Sequence, residues 1–111
     1  MNKVSEIFIR WRTVPFAFHS DIHKMYNAIK LIPSHWCFQR YLWEENLDPE
    51  KEPLEKIIMT IIYGLKSSGN QAERAIRLFA KMYATEYPKV YDIIHKDTYM
   101  DDVLFGAANR K

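Results

Sequence analysis

Apolar residues along this chain switch repeatedly between helical and extended spacing, and the order of these patterns limits the folds that it can adopt. Residues 4–11 and 68–83 carry apolar side chains at the i, i+3, i+4, i+7 spacing of amphipathic helices. Residues 14–20, 36–43 and 57–63 are aromatic and β-branched runs, which are typical of strands, and we expect the first strand to be buried on both faces. With the shorter segments between them, the predicted order is α, β, α, β, β, α, β, β.

Prolines and polar residues mark where the predicted elements end. Pro15 prevents the first helix from continuing. Asp21 follows the first strand and is placed to cap a second helix, whose apolar face includes Met25 and Ile29. We expect the acidic segment 44–53, which contains two prolines, to connect the strands on either side of it.

The longest predicted helix begins at Ser67 or Ser68, because Ser68 and Gln71 stand at capping-box spacing. Pro88 marks either the end of this helix or the start of another short one. The helix is predicted to present one continuous apolar stripe. Its members are Ala72, Ala75, Ile76, Phe79, Met82 and Tyr83.

The last part of the chain completes a pattern that belongs to a common architecture. Residues 98–105 are expected to form two short strands with a tight turn at Asp101-Asp102. Without the first helix and the last strand of the final hairpin, the order is βαββαβ. This is the ferredoxin-like arrangement, in which an antiparallel sheet carries helices on one face. We therefore predict an α+β fold and a single domain over residues 1–111.

Composition favours a globular protein inside a cell. The 111 residues are 48% hydrophobic and 27% charged, which argues against a disordered or collagen-like chain. Cys37 is the single cysteine, so an internal disulfide cannot form and a reducing, intracellular compartment is expected. The longest apolar run, residues 57–65, is shorter than the about 20 residues of a membrane-spanning helix.

Charge is unevenly distributed along the chain, although the net charge is only +2. Residues 44–56 hold six acids and two bases, which leaves 14 bases and 8 acids in the rest of the chain. An acidic hairpin tip on a mildly basic body would suit contact with a polyanion. An ordinary solvated loop accounts for the same acids equally well.

Three acids occupy positions where a carboxylate is unexpected. Asp21 follows an apolar strand, and the adjacent Asp101 and Asp102 lie within a run of apolar and aromatic residues. Burying an unpaired carboxylate is unfavourable. The first and last strands of a βαββαβ sheet are neighbours, so these acids would converge on one point. Oxygen ligands without His or Cys favour Mg²⁺, and two such ions about 3.5–4 Å apart promote in-line displacement at phosphorus.

Simpler interpretations of these and other polar residues stay open. Asp21 would serve as a helix cap, and Asp101-Asp102 would form a plain turn. The aromatic residues of segment 36–43 would stack on bases, although packing within a hairpin is the simpler use. The four histidines show no zinc-binding spacing and are interpreted as surface or packing residues. They are His19, His23, His35 and His95.

Three segments resemble the motifs of reverse transcriptases and occur in the order found in that family. Residues 99–102, Tyr-Met-Asp-Asp, resemble the Y-x-D-D box. Residues 21–26 resemble the first palm motif, an Asp followed five residues later by an aromatic, and residues 63–73 resemble the Gly-containing turn that leads into a palm helix. The sequence around these motifs is most similar to Bel/Pao-type LTR retrotransposon polyproteins. The similar segments include Arg-Trp-Arg at 10–12 and the Asp-Val-Leu-Phe-Gly run that starts at 102.

The resemblance implies catalytic and metal-binding roles for the three acids. Asp21 and Asp101 correspond to the metal-binding pair, and Asp102 corresponds to the supporting carboxylate. The backbone carbonyl of Ile22 is a further candidate ligand. The implied cofactor is two Mg²⁺ ions, for which Mn²⁺ would substitute.

The resemblance also implies substrate-binding roles. Tyr26 corresponds to the steric gate, whose ring excludes a ribose 2′-OH and so selects a deoxynucleotide. Tyr63 and Gly64 correspond to the turn near the sugar and base of the nucleotide, and Met100 to the position beside the primer 3′ end. Lys66 is a candidate phosphate or template contact, and a solvated lysine at a helix start explains it equally well.

The implied activity is that of an RNA-directed DNA polymerase, which adds dNTPs to a primer 3′-hydroxyl under the direction of a template. The implied partners are an RNA or DNA template-primer and a dNTP, in the cytoplasm or a virus-like particle. One residue departs from the pattern, because Gly69 stands where many reverse transcriptases have Pro after Ser.

We expect this chain to be a partial domain, a palm core without fingers, thumb or RNase H. Twenty residues precede Asp21 and nine follow Asp102, and both segments are too short for those parts. Little or no processive polymerase activity is expected of the isolated chain. Its exposed apolar surface is expected to contact other polyprotein segments or a second copy.

Two functions from other classes remain as alternatives. A catalytically inactive retroelement remnant would act as a nucleic-acid- or protein-binding module, and it would keep binding RNA or DNA after Asp101→Asn. A small metal-dependent nuclease or phosphotransferase would use the same acids without a template. Tyr26, at steric-gate spacing, argues against the nuclease.

Overall fold

Helices and two small antiparallel sheets make up residues 2–109, which the computed structural model describes. The helices are α1 (Val4–Arg12), α2 (Met25–Ala28), α3 (Ser68–Met82) and α4 (Pro88–Lys96), with a 3-10 helix at Pro33–Phe38. The strands are β1 (Phe16–Asp21), β2 (Arg40–Trp43), β3 (Leu54–Ile57), β4 (Thr98–Tyr99) and β5 (Asp102–Ala107). The predicted mixture of helices and antiparallel strands is confirmed. Within this range, no helix has both the length and the apolar character needed to cross a membrane.

The larger sheet joins the first strand of the chain to the last two. Its order is β1-β5-β4, with β5 in the centre and both pairings antiparallel. Phe16 is opposite Ala107 at one end, and Asp21 is opposite Asp102 at the other. The last hairpin lies beside the first strand as predicted, but β1 pairs with β5, the strand that the βαββαβ pattern leaves out, and β1 lies at the edge of the sheet instead of its centre. The predicted tight turn is present but displaced by one residue, since Met100 and Asp101 are its central residues and Asp102 begins β5.

The smaller sheet is a separate hairpin of β2 and β3. Arg40 is opposite Ile57, and Trp43 is opposite Leu54. Every residue of both strands is exposed, and the molecule is elongated, with extents of 63 × 27 × 26 Å. Because the described strands lie in two sheets, the ferredoxin-like arrangement of one sheet is not confirmed.

Helix α1 anchors the larger sheet to the helical part of the molecule. It contacts β4 and β5, and its residue Ile7 is fully buried. Arg10 forms an ion pair with Asp97 at 3.1 Å and donates a hydrogen bond to the carbonyl of Lys96. The Asn2 side chain donates to the carbonyl of His95 at 2.8 Å and to that of Thr98 at 3.1 Å.

The first strand differs from the prediction in both its bounds and its burial. The prediction placed it at residues 14–20 and buried both faces, whereas β1 spans Phe16–Asp21 and five of its six residues are exposed. β1 is an edge strand, and α1 packs mainly on β4 and β5. An apolar run alone does not reveal whether another layer covers it.

The predicted helix cap at Asp21 is wrong, because Asp21 is the last residue of β1. The cap position of α2 is Lys24, which has a φ of +50° and no side-chain capping bond. Ile29 lies beyond the end of this short helix. The Ile29 carbonyl accepts a hydrogen bond from the Ile61 backbone at 3.0 Å, so tertiary pairing ends the helix early.

The strand predicted at residues 36–43 forms only in its second half. A 3-10 helix begins at Pro33 and continues to Phe38, and β2 starts at Arg40. Proline is favoured in the first turn of a helix because its φ is already fixed near the helical value. Proline at the start of the segment therefore favours the 3-10 helix, although the aromatic composition of the segment is typical of a strand.

The strand predicted at residues 57–63 is displaced toward the N-terminus, and β3 ends at Ile57. The side chain of Gln39, which is buried, donates to the carbonyls of Ile58 and Thr60 at 2.7 Å each. Thr60 also forms an isolated bridge with Lys30. The apolar run is therefore held by the Gln39 side chain and by backbone hydrogen bonds to Ile29, Leu31 and Gln39, without forming a regular strand.

The two later helices begin where the sequence predicts. α3 starts at Ser68 and α4 at Pro88, which settles the two interpretations of Pro88 in favour of a new helix. The predicted capping box is wrong, because no side chain caps the backbone of α3 and Gln71 donates to the Ser67 hydroxyl at 3.1 Å. Part of the apolar stripe is uncovered, since Phe79 is 60% exposed.

Candidate functional site

Strand register brings two of the predicted acids together. Asp21 ends β1 and Asp102 begins β5, and the two residues are directly opposite each other. Opposite residues in an antiparallel pair project their side chains from the same face of the sheet. The backbone N–H of Ile22 donates to the Asp101 carbonyl at 2.8 Å, which ties the turn to the end of β1.

The turn between β4 and β5 places the third acid beside them. Tyr99 pairs with Asp102, so Met100 and Asp101 are the two central residues of the turn. Met100 has a φ of +55° and Asp101 does not have a positive φ, which is the φ pattern of a type II′ hairpin turn. A non-glycine residue in this region is uncommon, and such residues cluster at functional sites.

The carboxylates of Asp21, Asp101 and Asp102 converge on one point. One oxygen of each lies within 4.8 Å of the other two. Asp101 is half-buried, and Asp21 and Asp102 are exposed. The expected burial of all three acids is therefore wrong. The unfavourable energy at this site comes instead from the electrostatic repulsion of three carboxylates at close range. Three carboxylates at this spacing could hold a divalent cation with a preference for oxygen ligands.

The Ile22 carbonyl, the predicted additional ligand, already has one partner. It accepts a hydrogen bond from the Met25 backbone N–H at 3.2 Å. A carbonyl oxygen has two lone pairs, so one acceptor position remains for a cation. Its role as a ligand stays a prediction.

His19 contacts this group of acids, although it lies outside the three motifs and was not predicted as a site residue. Its Nε2 lies 2.9 Å from Oδ1 of Asp102. His19 is two residues before Asp21 on β1, and alternate residues of a strand project from the same face. The period of a strand, applied to the residues before Asp21, would have found it.

Two predicted substrate-binding residues are also in contact. The rings of Tyr26 and Tyr63 have centroids 4.6 Å apart at an interplanar angle of 51°. Tyr26 is half-buried, whereas Tyr63 is 67% exposed. Gly64, next to Tyr63, has a φ of +85°, a conformation that favours glycine.

The remaining two predicted substrate-binding residues are Met100 and Lys66. Met100 is 46% exposed and lines a cavity of about 20 Å³ together with Met25, Gly69 and Thr98. Lys66 is exposed in the turn before α3. Across residues 2–109 it makes no hydrogen bond or ion pair, so a role in binding phosphate stays a prediction.

Comparison of the chain with protein-family models finds no match, and comparison with curated proteins finds no relative. The functional assignment therefore depends on the residues and geometry of the chain itself.

Proposed function

We propose that this chain is the palm segment of a Bel/Pao-type reverse transcriptase, which adds dNTPs to a primer 3′-hydroxyl under the direction of a template. One observation carries the proposal: Asp21 is remote in sequence from the adjacent Asp101 and Asp102, yet the three carboxylates have oxygens within 4.8 Å of one another. The three motifs that contain these acids and Tyr26 stand in family order, which supports the same function.

The acids are suited to hold two divalent cations. Asp21 and Asp101 would bind them, and Asp102 would complete the negative charge that retains them. Such ions, when bound, activate the primer hydroxyl and neutralise the charge of the leaving pyrophosphate. The contribution of the protein is to place the backbones of the three acids through the β1–β5 register and the Met100–Asp101 turn, so that the carboxylates are close together before substrate binds.

The aromatic pair would select the sugar of the incoming nucleotide. Tyr26 would present its ring to the 2′ position, and Tyr63 would keep that ring in place through their contact at 4.6 Å. A substrate with a 2′-hydroxyl would then collide with the ring. Changing Tyr26 to Ala would reduce discrimination against ribonucleotides without removing the metal site.

The arrangement of β1, β5 and β4 is compatible with the centre of a palm. The acids project from a sheet in which the first strand is paired with the last hairpin. We infer that the β2–β3 hairpin, which is exposed on both faces, belongs to a region that other parts of the polyprotein would cover. A palm in isolation is expected to lack processive synthesis.

Single-nucleotide addition tests the proposal without requiring processivity. Purified chain at high concentration is incubated with an RNA template, a 5′-labelled DNA primer, Mn²⁺ and one dNTP. We expect slow addition of the complementary dNTP, and loss of addition in Asp21→Asn and Asp101→Asn. Asp92→Asn is the matched control, because Asp92 is an exposed acid on α4. Cleavage of the primer or template without dependence on base pairing would instead identify a nuclease.

An apolar groove favours a second candidate, the binding module. Phe79, Tyr83, Tyr87 and Val90 line this groove of about 230 Å³ between α3 and α4. All four side chains are at least 43% exposed, and exposed apolar clusters mark interaction surfaces. If neither wild type nor Asp101→Asn extends a primer and both bind RNA or DNA equally without metal, the module is the better description.

A further inference from the structure

We propose that His19 is a positioning residue for Asp102: it donates a hydrogen bond from Nε2 to Oδ1 and so fixes the carboxylate for cation binding. The two atoms are 2.9 Å apart. This inference rests on the proposed function, since it assigns a role within the same metal site. It concerns a residue outside all three sequence motifs.

The contact is a consequence of strand register. His19 is opposite Leu104, and Asp21 is opposite Asp102, so His19 and Asp102 are diagonal neighbours across the two strands. Diagonal neighbours on one face are about 7–8 Å apart at the backbone, a distance that a long side chain such as histidine spans. The register that brings Asp21 to Asp102 therefore also brings the imidazole to the same carboxylate.

The chemistry of the two groups determines the direction of the bond. An ionised carboxylate has no hydrogen to donate, so the hydrogen between the two atoms belongs to Nε2. The neutral imidazole satisfies this condition as the Nε2–H tautomer, and no positive charge is required. The bond occupies Oδ1 on one side, and Oδ2 remains available to a cation.

Exposure explains why such a bond matters at this site. The side chains of His19 and Asp102 are each 53% exposed, so packing alone does not hold the carboxylate in one rotamer. A ligand that must be ordered on binding loses conformational entropy. Removal of an outer hydrogen-bond partner typically weakens metal affinity by about 10–100-fold, and the exposure places this site at the low end of that range.

Mn²⁺ titration, followed by the electron paramagnetic resonance signal of the free ion at pH 8, tests the inference. We expect His19→Ala to weaken binding by about 10-fold and His19→Gln, whose amide nitrogen also donates, to restore most of the affinity. His23→Ala is the matched control, because His23 is exposed and has no hydrogen-bond partner among the described residues. Circular dichroism spectra establish that each variant is folded.

A second readout needs no metal. The imidazole ¹⁵N shifts of His19 in the metal-free protein should report the Nε2–H tautomer, and Asp102→Asn should change the tautomer ratio. The Nδ1–H tautomer in the wild type would overturn the inference. So would a folded His19→Gln variant that binds Mn²⁺ as weakly as His19→Ala.

The titration separates failure of this inference from failure of the proposed function. One outcome overturns only the role of His19. In that outcome the wild type binds Mn²⁺, the Asp21→Asn variant does not bind it, and the His19→Ala variant binds it with wild-type affinity. His19 then has no positioning role, and the proposed metal site is supported. If the wild type does not bind Mn²⁺, the metal site and the role of His19 are both overturned.

Discussion

Asp21 and Asp102 are directly opposite each other in the antiparallel pairing of β1 with β5. This pairing joins the first strand of the chain to the last, so the candidate site exists only when the larger sheet is formed. A cation that binds only the folded chain would stabilise it by mass action, so the proposed metal binding would be coupled to folding.

Two glycines should respond in opposite directions to the same substitution. A Cβ on Gly106 would lie 2.1 Å from Cγ2 of Val14, whereas a Cβ on Gly69 would meet nothing within 4 Å. Val14 is β-branched and has few alternative rotamers. Gly106→Ala should therefore lower the free energy of unfolding by about 1–3 kcal/mol.

Gly69→Ala is the control for this substitution and should raise the free energy of unfolding by about 0.5–1 kcal/mol, because Gly69 is within α3. Urea denaturation of both variants measures the two effects. A neutral Gly106→Ala would contradict the close approach of Val14 to β5.

Gln39 should be important for stability although it is outside the candidate site. Its side chain donates to the carbonyls of Ile58 and Thr60 at 2.7 Å each, and it is only 7% exposed. Gln39→Leu leaves both carbonyls without this donor, so we expect a loss of about 1–3 kcal/mol in the free energy of unfolding.

Gln71→Leu is the matched control, since Gln71 is exposed and makes one side-chain hydrogen bond, to Ser67. Its effect should be within about 0.5 kcal/mol. Equal effects of the two substitutions in thermal denaturation would show that Gln39 does not hold the segment that precedes Tyr63.

The contact between Tyr26 and Tyr63 should appear as a coupling energy. Tyr26→Leu, Tyr63→Leu and the double variant form a thermodynamic cycle. An aromatic pair contributes about 0.5–1.5 kcal/mol beyond its buried area, and the 67% exposure of Tyr63 favours the lower value. Additive effects of the two substitutions would mean that the rings do not meet in solution.

Local patterns predicted the helices better than the strands. α3 starts at Ser68, as the serine pair predicts, although the capping bond does not form, and Pro88 starts α4, which is one of its two predicted roles. Both signals depend on neighbouring residues alone. The run at residues 57–63 does not form the predicted strand, because its backbone groups are bound by Gln39, Ile29 and Leu31. Such long-range partners are not visible in a local window.

The candidate site was predictable to the extent that its residues lie in motifs. The three acids and Tyr26 with Tyr63 were identified in advance, and the structure brings both sets together. The three acids are more exposed than predicted, because burial depends on which layers cover a strand. His19 is at strand spacing from Asp21, which places it on the same face, but its contact with Asp102 depends on the register between distant strands.

Paramagnetic broadening by Mn²⁺ tests the central claim most directly, that acids from both ends of the chain form one metal site. Amide spectra are recorded for the wild type, Asp21→Asn, Asp101→Asn and the control Asp92→Asn. We predict that Mn²⁺ broadens signals at the end of β1 and at the Met100–Asp101 turn in the wild type and the control, and that either site substitution removes both effects. Loss of broadening at only one of these positions, or none in the wild type, would contradict the account.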